Sequence, residues 1–411
     1  MPGNTSDFGG TSAGFRHCSG HEENDPLGSI AARVPRRKLR LAGPARTGRE
    51  QAKEQAGAVE QRDGFAITDL ARFDSPWALA FLPGRPDVLV TERTGALKLW
   101  RPGGKAVVVA GTPKVDAGGQ GGLGDVAVAP DFARSGLVYL TWAEAGPGDT
   151  RGAALGRARL VLDKGAPRLE NLTVIWRQVP KVSGRGHFGH RIAFAPDGQS
   201  LFLSSGERQK FTPAQDMGTN LGKILHLTLD GQPAPGNPFA AQGGLAAQVW
   251  TLGHRNPLGL QFDAQGRLWD LEHGPAGGDE LNLLEPGKNY GWPLVSDGDN
   301  YDGTPIPRNA TRPDLAAPAI SWNPVIAPGD FVFYSGKAFP QWRGQALIAA
   351  LGAAGIVRVG IESGPGGRPV GKELERIDLG TRIREIREAG DGTLWILEDG
   401  ENARLRRLAP R

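Results

Sequence analysis

The stretch Ile192-Ala-Phe-Ala-Pro-Asp-Gly198, followed by Leu201-Phe-Leu203, decides the fold of this 411-residue chain. It alternates apolar residues, turns at Pro-Asp-Gly and continues in a second apolar run, which is the pattern of a half-buried β-hairpin. Similar phrases begin at Trp77, Val126, Leu258, Phe331 and Ile383, of which the copy at Phe331 is the weakest. The six copies give roughly 54 residues per unit, compatible with propeller blades that carry inserted loops. The prediction is an all-β, six-bladed β-propeller with long loops on one face.

Residues 1–62 have no hydrophobic period and contain a basic run from Arg33 to Arg40. They are predicted to be either a disordered tail or a stretch that results from a start codon placed too far upstream. The alternative is that the basic run binds an acidic partner. The propeller is expected to occupy residues 63–411 as one catalytic domain. The start, from Met1 to Gly28, lacks the apolar core of a secretory signal.

Composition excludes several classes of protein. The formal net charge of +4 is too small for a nucleic-acid footprint, so no nucleic-acid partner is expected. No run of 18 or more apolar residues is present, so no membrane span is expected. The single cysteine, Cys18, cannot form an intramolecular disulfide.

Three loop segments carry polar residues that a purely structural loop would not need. Gln120 lies in a glycine-rich turn, and His187 lies between glycines where a neutral imidazole could act as a general base. Arg255 and Asn256 stand together ahead of Pro257 and suit an oxygen-rich ligand. Each pattern also fits a structural turn, a satisfied core histidine or a salt-bridged arginine, and the residues alone leave these alternatives open.

A fourth segment, residues 272–301, is the richest in polar residues. It offers carboxylates at Asp279 and Glu280 and main-chain carbonyls at a Gly-Pro turn, the oxygen ligands that Ca²⁺ prefers. The Cys/His pattern of a closed zinc site is absent from the sequence. The segment is therefore a candidate calcium site, with an acidic loop that faces water as the alternative.

With these segments in view, the chain resembles the soluble aldose sugar dehydrogenases that depend on pyrroloquinoline quinone (PQQ), in the glucose/sorbosone dehydrogenase family. The resemblance covers about residues 66 to 408. It rests on the motifs His187-Phe-Gly189, Gly253-His-Arg-Asn-Pro257, Glu272-His-Gly-Pro275, Gly278-Asp-Glu280, Lys288-Asn-Tyr-Gly-Trp-Pro293 and Arg382-Ile-Arg384.

The resemblance implies a PQQ-dependent dehydrogenase that oxidises the C1 hydroxyl of aldose sugars to lactones by hydride transfer to the quinone. His187 would be the general base, with Arg255 also at the reacting groups. The implied cofactor contacts are Gln120, Arg255, Asn256, Tyr301, Ala327, Pro328, Gly329, Arg382 and Arg384. Implied ligands of Ca²⁺ are the carbonyls of Gly274 and Pro275 for the ion at the cofactor, and Glu280 and Tyr290 for a second ion.

The family further implies an aldose sugar as the small-molecule partner, an external electron acceptor, and a periplasmic or secreted location. Two departures from its pattern stand out. Residues 350–355 lack the lysine with which many relatives pair a cofactor carboxylate, and His190 stands where relatives usually have a small residue. Two alternatives remain: a calcium-dependent propeller lactonase or other hydrolase, and a non-catalytic propeller that binds a partner.

Overall fold

The computed structural model describes residues 57–411, so most of the predicted tail lies outside the described residues. Within them the chain is almost entirely β-structure. The strands are β1 (Val59–Arg62), β2 (Phe65–Phe73), β3 (Pro76–Phe81), β4 (Val88–Glu92), β5 (Leu97–Trp100), β6 (Val107–Val109), β7 (Leu123–Val128), β8 (Leu137–Ala145), β9 (Arg151–Val161), β10 (Arg168–Arg177), β11 (Gly189–Phe194), β12 (Ser200–Ser205), β13 (Lys223–Thr228), β14 (Val249–Leu252), β15 (Pro257–Phe262), β16 (Leu268–Glu272), β17 (Asp279–Leu283), β18 (Ile320–Trp322), β19 (Pro328–Phe333), β20 (Ala346–Ala350), β21 (Gly355–Ser363), β22 (Pro369–Asp378), β23 (Ile383–Glu388), β24 (Leu394–Glu398) and β25 (Ala403–Pro410).

Helices are short and lie in the connections. The one α-helix of the described chain, α1, spans Phe132–Ser135. The 3₁₀ turns are Thr212–Gln215, Ala240–Gln242, Ala246–Gln248, Asn309–Thr311, Pro340–Trp342 and Pro365–Gly367. No helix in residues 57–411 has both the length and the apolar character needed to cross a bilayer.

The strands form six antiparallel sheets, which confirms the predicted six-bladed propeller. Blades 1 to 5 are β3–β6, β7–β10, β11–β14, β15–β18 and β19–β22. Each predicted hairpin phrase is the first pair of strands of a blade, including the weak copy at Phe331 in β19 and β20. The first strands, β3, β7, β11, β15, β19 and β23, contact one another in a ring and line a central channel.

Blade 6 joins the two ends of the described chain. Its order is β1-β2-β25-β24-β23, and β2 pairs with β25 from Phe65 opposite Pro410 to Phe73 opposite Ala403. This pairing joins the two ends of the described chain and closes the ring of blades. Strand β1 lies within the stretch assigned to the tail from the sequence, so the folded chain already includes Val59.

Apolar residues of adjacent blades bury the faces of each sheet. One cluster, for example, joins Ile67 of β2 and Ile386 of β23 to Leu347 of β20 in the neighbouring blade. A blade alone would leave these faces in water, which explains why the repeats must stack.

The channel itself is closed by buried charges. Arg191 of β11 is about 1% exposed, and its Nη2 lies 2.6 Å from Oε2 of Glu385. The other oxygen of Glu385, Oε1, lies 2.8 Å from Nε of Arg387. Asp125 and Asp330 complete this channel cluster. It fixes the first strands of different blades against one another below the loops that lead into them.

The closure of blade 6 yields a stability prediction. Ile67 is fully buried, so Ile67→Ala should lower the free energy of unfolding by about 2–5 kcal/mol through lost burial and a cavity. Val59 on the edge strand β1 is 53% exposed, and Val59→Ala should change the free energy of unfolding by less than about 0.5 kcal/mol. Chemical denaturation followed by tryptophan fluorescence measures both. Equal effects of the two substitutions would contradict a tightly packed β2.

Candidate active site

The loops that lead into the first strands meet at one end of the channel. Gln120 precedes β7, His187 precedes β11, Arg255 and Asn256 precede β15, Ala327 precedes β19, and Arg382 precedes β23. These strands are neighbours in the ring, so their leading loops surround the same mouth. The residues singled out from the sequence therefore come together although they are far apart along the chain.

His187 is buried at this mouth with a left-handed backbone, φ 49°. Its Nδ1 lies 2.5 Å from Oε1 of Glu207, and its backbone N–H donates to Oε1 of Gln120 at 2.9 Å. Burial and the charge of Arg255 lower the pKa of His187 to about 4, against the opposing effect of Glu207. The imidazole is therefore neutral near pH 7, and Nε2 has no hydrogen-bond partner among the described residues.

Sequence reasoning missed Glu207, the partner of His187. Its second oxygen, Oε2, accepts the backbone N–H groups of Lys210 and, at 2.6 Å, of Phe211. Burial opposes its ionisation, but the hydrogen bond and charge of His187 prevail and lower the pKa of Glu207. One signal was available in the sequence: Glu207 follows β12, the strand paired with β11, by two residues.

Arg255 carries a guanidinium without a carboxylate partner in the described chain. Its Nη1 donates to the carbonyl of His273 and its Nη2 to the hydroxyl of Tyr301, both at 3.3 Å, while its buried Nε has no partner. The neighbouring Asn256 accepts the N–H of Gly189 at 3.3 Å. Tyr301 is half exposed and lies at the outer edge of this group.

Arg382 and Arg384 share one carboxylate that the sequence analysis did not single out, Asp399. Nε of Arg382 lies 2.9 Å from Oδ2 of Asp399, and Nη2 of Arg384 lies 2.8 Å from Oδ1. The side chain of Arg384 is buried at the mouth, whereas that of Arg382 is 55% exposed. Only Arg384 of this pair is thus enclosed with the other site residues.

The turn Ala327-Pro328-Gly329 lies against the same residues. Ala327 has φ 47° and donates its N–H to Oδ2 of Asp279 at 2.7 Å. The carbonyl of Pro328 is 2.6 Å from Nε2 of His273. A Cβ on Gly329 would lie 2.4 Å from the carbonyl oxygen of Arg384, so only glycine fits there.

Of the residues expected to hold calcium, three present main-chain carbonyls without a backbone donor, whereas both carboxylate oxygens of Glu280 accept side-chain amide groups, from Asn309 at 2.8 Å and Asn282 at 3.4 Å. No backbone donor in residues 57–411 reaches the carbonyls of Gly274, Pro275 or Tyr290. Glu280 lies at a small buried cavity, where burial and then the charge of Glu272 raise its pKa. The hydroxyl of Tyr290 is bound to the carbonyl of Leu283 at 2.5 Å, which leaves its main-chain carbonyl as the free oxygen.

A second acidic group lies deeper in blade 4. His254, Asp270 and Glu272 are buried together, with His254 Nδ1 3.1 Å from Glu272 and 3.3 Å from Asp270. Burial lowers the pKa of His254, but the two carboxylates outweigh it and raise that pKa to about 9. The imidazolium of His254 therefore supplies a positive charge beside Asp270 and Glu272.

His190, the unusual residue beside the base, lies behind the loop rather than in the mouth. Its ring stacks on Phe188 with centroids 5.5 Å apart and meets Trp77 edge-on at 5.9 Å. Neither ring nitrogen has a partner, and burial lowers the pKa of His190 to about 3. It therefore packs as a neutral aromatic residue.

Comparisons with known proteins identify the family of the chain. The profile of the Glucose / Sorbosone dehydrogenase family matches residues 73–407. The aldose sugar dehydrogenase YliI of Escherichia coli (strain K12) is 38% identical over 346 residues, 83% of this chain and 91% of the relative.

Solved structures give the same result. The soluble aldose sugar dehydrogenase of Escherichia coli in the apo-form has a TM-score of 0.79 at 37% identity, over 84% of this chain and 99% of that one. The PQQ-bound aldose sugar dehydrogenase of Streptomyces coelicolor has a TM-score of 0.69 at 28% identity, over 87% of this chain and 99% of that one. The chain described here is a member of the glucose/sorbosone dehydrogenase family.

Proposed function

We propose that the chain is a PQQ-dependent aldose dehydrogenase that oxidises the C1 hydroxyl of a sugar to a lactone with His187 as the general base. The observation that carries this proposal is a neutral, buried imidazole beside Arg255, a guanidinium that forms no ion pair within residues 57–411. When bound there, PQQ would supply the hydride acceptor. The similarity to sugar dehydrogenases favours the same reaction class.

The hydrogen bonds of His187 suit it to accept a proton. Because Glu207 is ionised and bound to Nδ1, the proton of the neutral ring resides on Nδ1 and the lone pair on Nε2. Nε2 would take the proton of the C1 hydroxyl while C1 loses hydride, so the sugar loses two electrons and two hydrogens. Glu207 would stabilise the imidazolium that results.

The charges of the mouth suit a polyanionic quinone. Arg255 has no ionic partner in the described chain, its Nε is buried without a hydrogen bond, and Arg382 and Arg384 share the single carboxylate of Asp399. PQQ carries three carboxylates and gains negative charge on reduction, so this excess of cations would bind it and stabilise the reduced form. Gln120 and Asn256, which lie at the same mouth, would add polar contacts to the quinone.

The free carbonyls of blade 4 suit a calcium ion. Those of Gly274 and Pro275 are buried without donors, which a hard cation would satisfy. Glu280 and the carbonyl of Tyr290 would hold a second ion beside it. A cation at the first position would hold the cofactor and favour negative charge on it.

The hydrolase alternative is less well supported. A propeller lactonase needs carboxylates that converge on a metal in the channel, and Asp125, Asp330 and Glu385 do converge there. The guanidinium of Arg191 already lies among them, 2.6 Å from Glu385 and 3.4 Å from Asp125. The position of a metal is thus taken by a side chain.

Replacing the base tests the reaction directly. In the protein loaded with PQQ and Ca²⁺, His187→Ala should lower the rate of glucose-dependent dye reduction by roughly 10²- to 10⁴-fold, the usual contribution of a general base. The matched control is His226→Gln, because His226 lies in β13 of the same blade, away from the mouth. Dye reduction by His187→Ala at the wild-type rate would refute the dehydrogenase assignment, and absence of activity in the wild type would favour a non-catalytic binding module.

The carboxylate behind the base gives a second test. Glu207→Gln removes a charged hydrogen bond, and we expect kcat to fall on the order of 10- to 100-fold. Because burial and Arg255 lower the pKa of His187 and Glu207 raises it, loss of the charge should lower that pKa further. The base is charged only below its pKa of about 4, so the acid limb of kcat/KM should move to lower pH in the variant. An acid limb that stays at the wild-type pH would show that Glu207 does not act on His187.

Removal of calcium should destabilise the protein. Chelation is expected to lower Tm and PQQ retention together, because it leaves the buried carboxyl of Glu280 beside the charge of Glu272 without a metal ion. Differential scanning calorimetry of wild type and Glu280→Gln measures the effect, with Glu375→Gln on an exposed side chain as the control. Chelation should lower Tm less in Glu280→Gln than in the other two proteins. An unchanged Tm of the wild type would argue against an occupied site at Glu280.

A further inference from the structure

Blade 1 contributes no residue to the cofactor contacts expected so far. Blades 2 to 5 supply Gln120, His187, Arg255 and Ala327 from their leading loops, and blade 6 supplies Arg384 from the start of β23. The corresponding gap in the ring of blades lies between blade 6 and blade 2. Arg93, in the turn between β4 and β5, lies in that gap.

Backbone and side-chain contacts place Arg93 beside Gln120. The carbonyl of Arg93 accepts the N–H of Leu123 at 3.1 Å, and its own N–H donates to Ser75 at 3.0 Å. Its Nη2 donates to the carbonyl of Gly119, the residue immediately before Gln120. The guanidinium therefore lies at the channel mouth and not on the outer face of the blade.

The guanidinium of Arg93 is poorly compensated. Its Nε is buried without a hydrogen-bond partner, and across residues 57–411 it forms no ion pair. Burial and the charge of Arg384 lower the pKa of Arg93, with Asp399 acting in the opposite direction. Asp399 is already bound to Arg382 and Arg384, so the corner holds three guanidinium groups for one carboxylate.

Such an excess of cations in a partly buried corner calls for an anionic ligand, since like charges at short range are unfavourable without one. The loop at residues 350–355, where a lysine is missing, offers no cation for this purpose. Arg93 presents a planar guanidinium instead, which can bind a carboxylate through two parallel hydrogen bonds.

We propose that Arg93 binds a carboxylate of the quinone cofactor at the channel mouth. This inference rests on the proposed PQQ dependence and adds a specific anchor from blade 1. It predicts that the affinity of the apoprotein for PQQ depends on Arg93 and on the free carboxylates of the ligand.

The test is calorimetric titration of the full-length apoprotein with PQQ at saturating Ca²⁺. Arg93→Gln should raise Kd roughly 10- to 100-fold, and Arg93→Lys, which keeps the charge, should raise it less. Titration with the trimethyl ester of PQQ supplies the second arm of a double-mutant cycle. The ester should bind wild type and Arg93→Gln with equal affinity, because it has no carboxylate to lose.

The matched control is Arg101→Gln. Arg101 belongs to the same blade but pairs with Asp87 at 2.9 Å beyond the far end of β5, and its loss removes the same formal charge. Its Kd for PQQ should match that of the wild type. Thermal melts of the apoproteins verify that the variants fold. If Arg93→Gln does not fold, Arg93→Lys is compared with the wild type instead.

The possible failures are distinguishable. If Arg93→Gln binds PQQ as the wild type does, or loses affinity equally for PQQ and its ester, Arg93 is not a carboxylate anchor and the proposed function stands. If the wild type itself does not bind PQQ with Ca²⁺, the proposed function fails and this inference fails with it.

Discussion

Burial of the Arg191 guanidinium in the channel is the interaction on which the geometry of the site depends. From β11 it reaches Asp125 of β7, Glu385 of β23, and the carbonyls of Leu258 in β15 and Gly329 in β19. Moving such an ion out of water costs several kcal/mol, which is offset only if all its partners are in place. One side chain thus fixes five first strands just below the mouth. Because the loops of the mouth lead directly into these strands, their positions are fixed as well.

The fold was predictable because propeller blades repeat a local signal. Each hairpin phrase alternates apolar residues at a spacing of two, so even the weak copy at Phe331 marks β19 and β20. The third and fourth strands of each blade were less visible, since they carry no repeated turn. Strand β1 was missed because its residues, such as the exposed Val59, lack a buried apolar face; the strand is held by pairing with β2 and by the ion pair of Glu60 with Arg406.

The site was predictable only where motifs are compact. His187 and Arg255 stand in glycine- and proline-rich segments that mark a loop, and the structure places both at the mouth. Glu207, Asp399 and Arg93 have partners in other segments, and apart from the position of Glu207 just after β12 the neighbouring sequence does not mark them. The packing of His190 against Phe188 and Trp77 likewise depends on segments that are distant in sequence and is visible only in three dimensions.

The pairing of β2 with β25 has a consequence for biosynthesis. Residues 65–73 leave the ribosome long before their partner, residues 403–410. Until that partner has been synthesised, residues 65–73 expose unpaired backbone groups that can pair with other nascent chains. Messages that stop prematurely would therefore yield an open ring, and cellular quality control rather than slow refolding would decide the fate of such products.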